Sequence, residues 1–391
     1  MLIDQYDNLL HMAYLSDECH DIVDMFTSAI TSSCIVDGEG TVRIAVVADD
    51  LTGALDACAP MAARGLDCHI ALDASGIEAT IASGSDVACV NTASRERPQR
   101  EAVSSVLHVA ERLAAFRPRI VFKKVDSRLK GHVAAETAAC LAAFGRQRVV
   151  VAPAIPNQRR LVENGEITGF GVPSPIRVAD AFGLEVEVPD TRDQADLDRI
   201  AVADATDTLF VGAAGLGESF ASLLGQSEVA PMVRPAAPML IALGSHDPIT
   251  LEQADVLIAD GELRAETSHD RLFRFSNEAG DLTLLQSAVA PSAPGYAAAM
   301  ERFGEVVADN LLGGRYASAL LCGGQTAQTV MRHIGATHAQ LLGSVAPGIP
   351  VLSLRVGRDD VTIMTKSGGF GAPDALATLC RRAQHPSPIA Q

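Results

Sequence analysis

All four lysines of this chain fall in two short segments: Lys123, Lys124 and Lys130 in KKVDSRLKG, and Lys366 in TKSGGFG. Lys and Arg together number 31, so arginine supplies positive charge everywhere else. The two cations are not interchangeable, and lysine serves as a compact point charge for phosphate and carboxylate groups. The clustering predicts two anion-handling loops far apart in sequence. In the first loop, Asp126 and Ser127 stand among the cations, which suits a small hydroxylated carboxylate: cations for the acid, Asp126 and Ser127 for its hydroxyls.

Asp49-Asp50 is the sharpest local feature elsewhere. Two adjacent acids follow the apolar run IAVVA and precede Thr52-Gly53. Such a pair offers a metal ligand or a general base, while Asp and Thr are also common helix N-caps. The expectation is that one acid caps and the other works, with Asp50 as the working one. CGGQT (322–326) has the make-up of a phosphate turn, because glycines let backbone N–H groups approach an anion at a helix N-terminus. Its natural partner is Lys366-Ser367-Gly368-Gly369, a second Gly-rich segment. No GxxxxGK[ST] is present, so a P-loop NTPase is excluded, and GAAGLG (212–217) is not the dinucleotide fingerprint GxGxxG. Ser245-His246-Asp247 holds the residue types of a triad, but contiguous residues cannot stack nucleophile, base and orienter in line. His333 and His338 lack a carboxylate or cysteine at zinc spacing, and no metal ligand set is expected.

These groups all stand where predicted strands end. Short buried-type apolar runs, 44–48, 68–72, 86–92, 119–126, 148–154 and 207–215, alternate with helical periodicity. The segment 156–175 between two of them reads as a Pro/Gly-rich loop. A Pro-rich stretch, 226–238, reads as a linker. A second series follows: strands at 239–245 and 317–326, then GIPVLSLRVG and VTIMTKSGGFG, with helices behind 247 and 326 and at the C-terminal end. The pattern predicts an α/β chain of two doubly wound domains with mostly parallel sheets and a cleft between them. The domains are expected at 41–225 and 239–391, and ligands collect at the carboxyl ends of such strands.

Composition narrows the class further. The net charge of −17 argues against nucleic-acid or anionic-membrane binding, so positive charge for an anionic substrate must be local. No apolar run reaches the roughly 18 residues of a membrane span. The eight cysteines show no CxxC and read as reduced, mostly buried residues of a cytoplasmic protein. Residues 1–40 carry eight acids and neither Lys nor Arg, which fits no signal or transit peptide and reads as either a loosely attached leader or an extension from an upstream start codon, without assigned function.

Taken together, VADDLTGALD (47–56), KKVDSRLKGHVAAE (123–136), VAPAIPNQRR (151–160), VGAAGLGESFASLL (211–224), LGSHDPIT (243–250), CGGQTAQTV (322–330) and PGIPVLSLRVG with VTIMTKSGGFG (347–371) resemble the four-carbon acid sugar kinase family. The resemblance runs in order along essentially the whole chain after residue 40. It implies phosphorylation of a small sugar acid such as threonate, erythronate or a 3-oxo form by ATP with Mg²⁺. It implies an N-terminal domain for the acid, a C-terminal domain for the nucleotide and a homodimer as a possible assembly. Carried over, Asp50, Lys123 and Asp126 form the catalytic set. Asp49, Arg95, Lys124, Ser127, Arg128, Lys130 and Arg159 join them around the acid. Ser245, Gly323, Gly324, Gln325, Thr326, Gly348, Lys366, Ser367, Gly368 and Gly369 surround the nucleotide. The chain departs from the family on the acid side: Arg128 stands where Thr is usual, PAIPNQRRLVENG replaces PAFPxxGRTT, and 161–190 is shortened. A branched 3-oxo acid such as 3-oxo-isoapionate is therefore a second substrate expectation. A ligand-binding sensor of sugar acids and a hydroxy-acid dehydrogenase are the readings of other classes, the latter lacking a dinucleotide fingerprint.

Overall fold

A computed structural model describes residues 43–260, 263–269, 272–277, 281–369 and 371–384; the 1–40 leader lies outside them. Short runs of β-branched and small apolar residues make the strands of the first half: β1 (Ile44–Ala48), β2 (Cys68–Ala71), β3 (Val87–Asn91), β4 (Ile120–Lys124) and β5 (Arg148–Ala152). A ribbon of β6 (Arg160–Glu163), β7 (Glu166–Gly169) and β8 (Ile176–Arg177) precedes β9 (Thr208–Gly212). The helices between them are α1 (Leu51–Ala63), α2 (Ile77–Ala82), α3 (Gln99–Ala114), α4 (Val133–Phe144), α5 (Gln194–Ala201) and α6 (Ala214–Leu224). The second half contributes β10 (Met239–Leu243), β11 (Arg264–His269), β12 (Leu272–Ser276), β13 (Leu282–Ser287), β14 (Ser318–Cys322), β15 (His338–Ala346), β16 (Ile349–Val356) and β17 (Asp359–Lys366). Its helices are α7 (Pro248–Asp260), α8 (Tyr296–Leu312), α9 (Gly324–His333) and α10 (Ala375–Gln384). No helix among the described residues is long and apolar enough to cross a membrane.

Strand order in the first half is β2-β3-β1-β4-β9-β5, all parallel, and every residue of β1, β3, β4 and β9 is buried. Burial on both faces explains why these strands read as continuous apolar runs. The two halves do not form separate sheets. One 14-stranded sheet runs through both, because β15 pairs antiparallel with β2, His338 opposite Ala71 and Leu341 opposite Cys68. Between 224 and 239 the chain forms no helix or strand.

The 156–175 loop expected from the sequence is instead mostly an antiparallel ribbon. Asn164 and Gly165 both take positive φ, 51° and 74°, at the turn between β6 and β7. That pair is the strongest short hairpin signal, and the flanking alternation of Leu161, Val162 and Ile167 continues it.

α1 sits where the halves meet. It packs on α6 and β15 and touches α9. At Gly217 of α6 the helices approach so closely that a Cβ built there lies 2.2 Å from the carbonyl oxygen of Ala57. The six described cysteines outside residues 1–42 are free and buried.

Candidate active site

The acid cluster forms at the carboxyl ends of β1 and β4. Asp49 directly follows β1 and turns inward, 3% exposed, while Asp50 turns toward the surface with 25% of its side chain exposed. Arg95, from the loop after β3, joins them: Nε and Nη2 donate to Asp49 at 2.8 Å each, and Nη2 also donates to Asp50 Oδ1 at 2.8 Å. Burial alone would raise the Asp49 pKa, but the charges of Lys123 and Arg95 outweigh it and hold the carboxyl below its ordinary value. The division of labour expected for the two acids differs. Asp50 is itself the N-cap of α1, accepting from Gly53 N at 3.1 Å and from the Thr52 hydroxyl at 2.7 Å.

The lysines of this cluster separate. Lys124 lies at the base of α1, its Nζ donating to Val125 O at 2.7 Å. A Cβ built on Gly53 falls 2.7 Å from that Nζ and 2.4 Å from Asp50 Oδ1, so the ammonium and the Asp50 carboxylate face the same glycine. Lys123, expected at the substrate, instead points into the interior. Its ammonium is 0% exposed and 2.6 Å from Glu136 on α4, because successive residues of a strand face opposite sides of the sheet. Lys130 is exposed.

The loop after β4 is shaped by Asp126, whose Oδ1 accepts from Arg128 N at 2.9 Å. The ribbon is fastened onto this loop. Arg160, buried, donates from Nη1 to the Ser127 hydroxyl and from Nε and Nη2 to Phe170 O at 3.2 and 3.0 Å. Arg128 donates to Gly171 O at 3.3 Å. Arg159, the expected ligand, is exposed with φ 54°, and the inward position belongs to Arg160. Arg160 was missed because Gln158, Arg159 and Arg160 look alike until the ribbon fixes which side chain points inward.

Asp56 was missed as well. It lies one turn beyond Thr52 on α1, half-buried, and burial pushes its carboxyl up to about 7 against the pull of Lys124 and with a push from Asp50. Its signal was present: residues four apart share a helix face, and Thr52 and Asp56 have that spacing.

The second cluster lines a cavity of about 450 Å³, among whose walls are Gly244, Ser245, Asp247, Tyr296, Gly323 to Thr326, Gly368 and Gly369. The N-terminus of α9 opens onto it, preceded by Gly323 at φ 108°. Free N–H groups and the positive end of a helix suit an anion there. Three expected nucleotide residues do not line it. Lys366 is buried under the turn, its Nζ donating to Ser367 O at 3.0 Å and Gly368 O at 3.2 Å, and burial lowers its pKa. Ser367 points outward, and Gly348 turns the β15–β16 hairpin at the Lys366 end of the sheet. Among the described residues no group of three or more His, Cys, Asp or Glu could hold a metal.

The two clusters meet. A Cβ built on Gly324, the first residue of α9, lies 3.4 Å from Thr52 Cγ2 and 3.7 Å from its hydroxyl. Thr52 in turn donates to Asp50. One side chain therefore separates the N-terminus of α9 in the second half from the paired acids of the first. By strand pairing the two parallel sets run in opposite directions, since β15, β16 and β17 alternate between them. Sheet twist of roughly 20–25° per strand, accumulated over the steps from β1 to β14, comes to roughly 120–150° and turns the two carboxyl ends toward each other.

Residues 44–174 match the model of a sugar-binding N-terminal domain, and residues 272–376 that of a nucleotide-binding C-terminal domain. The chain is 27% identical over 421 residues to a D-threonate kinase of Salmonella typhimurium, covering 86% of this chain and 97% of that one. It is 23% identical over 407 residues to a 3-oxo-tetronate kinase of Actinobacillus succinogenes, with 85% and 97% covered. A solved structure from Salmonella typhimurium LT2 superimposes with a TM-score of 0.71 at 19% identity, over 88% of this chain and 100% of that one. A Haemophilus influenzae protein does so at 0.65 and 22%, over 87% and 99%, and these two likenesses establish the shared fold. The motifs, the matched domains and the full-length relatives agree: the chain belongs to the four-carbon acid sugar kinase family.

Proposed function

We propose that this chain is an ATP-dependent kinase transferring phosphate to a hydroxyl of a small sugar acid, in the class of threonate, erythronate or a 3-oxo acid. The observation that carries the reading is the proximity of Thr52 to Gly324, where an added Cβ would lie 3.4 Å from Thr52 Cγ2, which sets the helix end suited to phosphate beside the acids suited to a hydroxyl. Relatives named D-threonate kinase and 3-oxo-tetronate kinase support it.

Phosphoryl transfer asks a protein mainly for positioning and for charge stabilisation. The α9 N-terminus with Gly323, Gly324, Gln325 and Thr326 receives the phosphates of Mg-ATP, and Ser245, Gly368 and Gly369 form the facing wall. Asp247 lines the same cavity and is the acid placed to meet a nucleotide-borne Mg²⁺. Asp50 orients the acceptor hydroxyl and takes its proton. Asp49 and Arg95 fix Asp50, while Lys124, Arg128 and Lys130 supply positive charge for the carboxylate, with Asp126 and Ser127 on its hydroxyls. We place the reaction in the cytoplasm, where the six described thiols stay reduced.

Arg160 fastens the ribbon to the loop after β4 through Ser127 and Phe170, so we expect Arg160→Met, by displacing that wall of the acid side, to raise KM for the acid by about 10-fold or more with KM for ATP unchanged. Equal changes in both constants would place the ribbon outside the acid site.

The reading is tested by ADP release from Mg-ATP with a panel of four- and five-carbon sugar acids and their 3-oxo and branched forms. Turnover is expected on one of them. ATP binding without turnover on any would shift the substrate to an untested acid, and absence of ATP binding would overturn the kinase reading in favour of a sugar-acid sensor.

A further inference from the structure

Five charges of alternating sign run from the interior to the rim of the acid cluster. Glu136 on α4 and Lys123 on β4 have side chains 1% and 0% exposed, 2.6 Å apart. Asp49 follows at the end of β1, the strand paired with β4, and is 3% exposed. Arg95 binds Asp49 through two hydrogen bonds of 2.8 Å and reaches Asp50 through a third of 2.8 Å.

A buried ion pair seldom stabilises a protein more than apolar residues of the same volume would. Stability therefore does not explain why a core of Ala, Val, Leu and Ile encloses this one. Its place does. Val47, two residues before Asp49, pairs with Lys123 in the β1–β4 register, and the Lys123 charge acts with the hydrogen bonds and charge of Arg95 and the charge of Lys124 to hold the Asp49 carboxyl below its ordinary value against burial. Burial works against the Lys123 charge, and Glu136 and Asp49 restore it, the Cys140 thiol being the other titratable neighbour.

We propose that the buried Lys123–Glu136 pair is a positioning device: it sets a fixed positive charge behind Asp49, so that Asp49 and Arg95 hold the Asp50 carboxylate at the reacting hydroxyl. The role given to Asp50 rests on the kinase reading; the charge relay itself does not. Lys123 and Glu136 touch no substrate and act through Asp49.

The test replaces the pair with apolar side chains, Lys123→Met together with Glu136→Leu. The double variant is expected to unfold cooperatively and keep KM for ATP, while kcat falls by about 10-fold or more, the scale of a misplaced catalytic group. The acidic limb of the kcat–pH profile should also move to higher pH. A pair that serves only folding predicts a folded double variant with the wild-type kcat and profile, and that result overturns the proposal. Should the double variant not fold, Lys123→Gln together with Glu136→Gln, which keeps a polar contact and removes both charges, is judged by the same profile. The pH dependence of Tm gives a readout free of turnover. Asp49 has a lowered folded-state pKa, so it contributes stability above its unfolded pKa that is lost as pH falls through the folded value. Removing Lys123 raises that folded value and moves the acid edge of the Tm curve upward. An edge that stays in place overturns the relay. A wild-type protein that phosphorylates nothing counts against the kinase reading alone.

Discussion

Asp50→Asn lowers kcat by about 10²- to 10⁴-fold, the range for losing a positioned acid or base, and leaves KM for ATP close to the wild-type value. The substitution is informative because it changes so little else. Asn caps a helix as well as Asp does, so α1 keeps its N-cap. Asn Oδ1 can still accept from Gly53 N and from Arg95, the bonds Asp50 makes at 3.1 and 2.8 Å. What disappears is the negative charge and the capacity to take a proton, at a group one side chain from Gly324. Initial rates against both substrates, with Tm as a control for folding, check it. A variant with full kcat would remove Asp50 from the reaction and turn attention to Asp56, whose carboxyl burial raises to about 7, near the operating pH that suits a proton acceptor.

The largest effect on stability is expected at Gly217→Ala. In an exposed helix such a change gains about 1 kcal/mol from helix propensity. Here the added Cβ would stand 2.2 Å from the Ala57 carbonyl oxygen and 3.0 Å from its carbon. Both partners are backbone, so no rotamer change relieves the clash, and α6 must move away from α1. Overpacking of this kind costs about 1–3 kcal/mol or more, which exceeds the propensity gain and fixes the sign. α1 carries Asp50 and Thr52 at its N-terminus, so activity should fall along with Tm. Thermal unfolding of the purified variant measures it; an unchanged or raised Tm would mean that the two helices are packed less closely than the structure places them.

Much of the first site was legible residue by residue. Asp49, Asp50, Arg95 and Lys124 come together because each stands at the end of, or in the loop just after, a strand buried on both faces, and such strands announce themselves as apolar runs. Where side-chain direction decided the outcome, the sequence was silent. Lys123 and Lys124 are adjacent and chemically identical, yet one pairs with Glu136 in the core and the other faces Gly53. Arg159 and Arg160 divide in the same way, exposed and buried. The ribbon itself carried a readable sign, Asn164-Gly165, hidden in a stretch that otherwise looked like a loop.

By itself the sequence determined the alternation of strands and helices and the family, because apolar periodicity and local residue chemistry are properties of short segments. Only the tertiary structure decided that the β1 end and the α9 N-terminus lie side by side. That required β15, a segment whose sequence does not name its partner, to close on β2 and join the halves into one sheet. It also required twist to accumulate across that sheet until the carboxyl ends of two oppositely running strand sets came round to each other. Pairing partners and accumulated twist depend on contacts far apart along the chain, so the meeting of Thr52 with Gly324 exists only in the folded molecule.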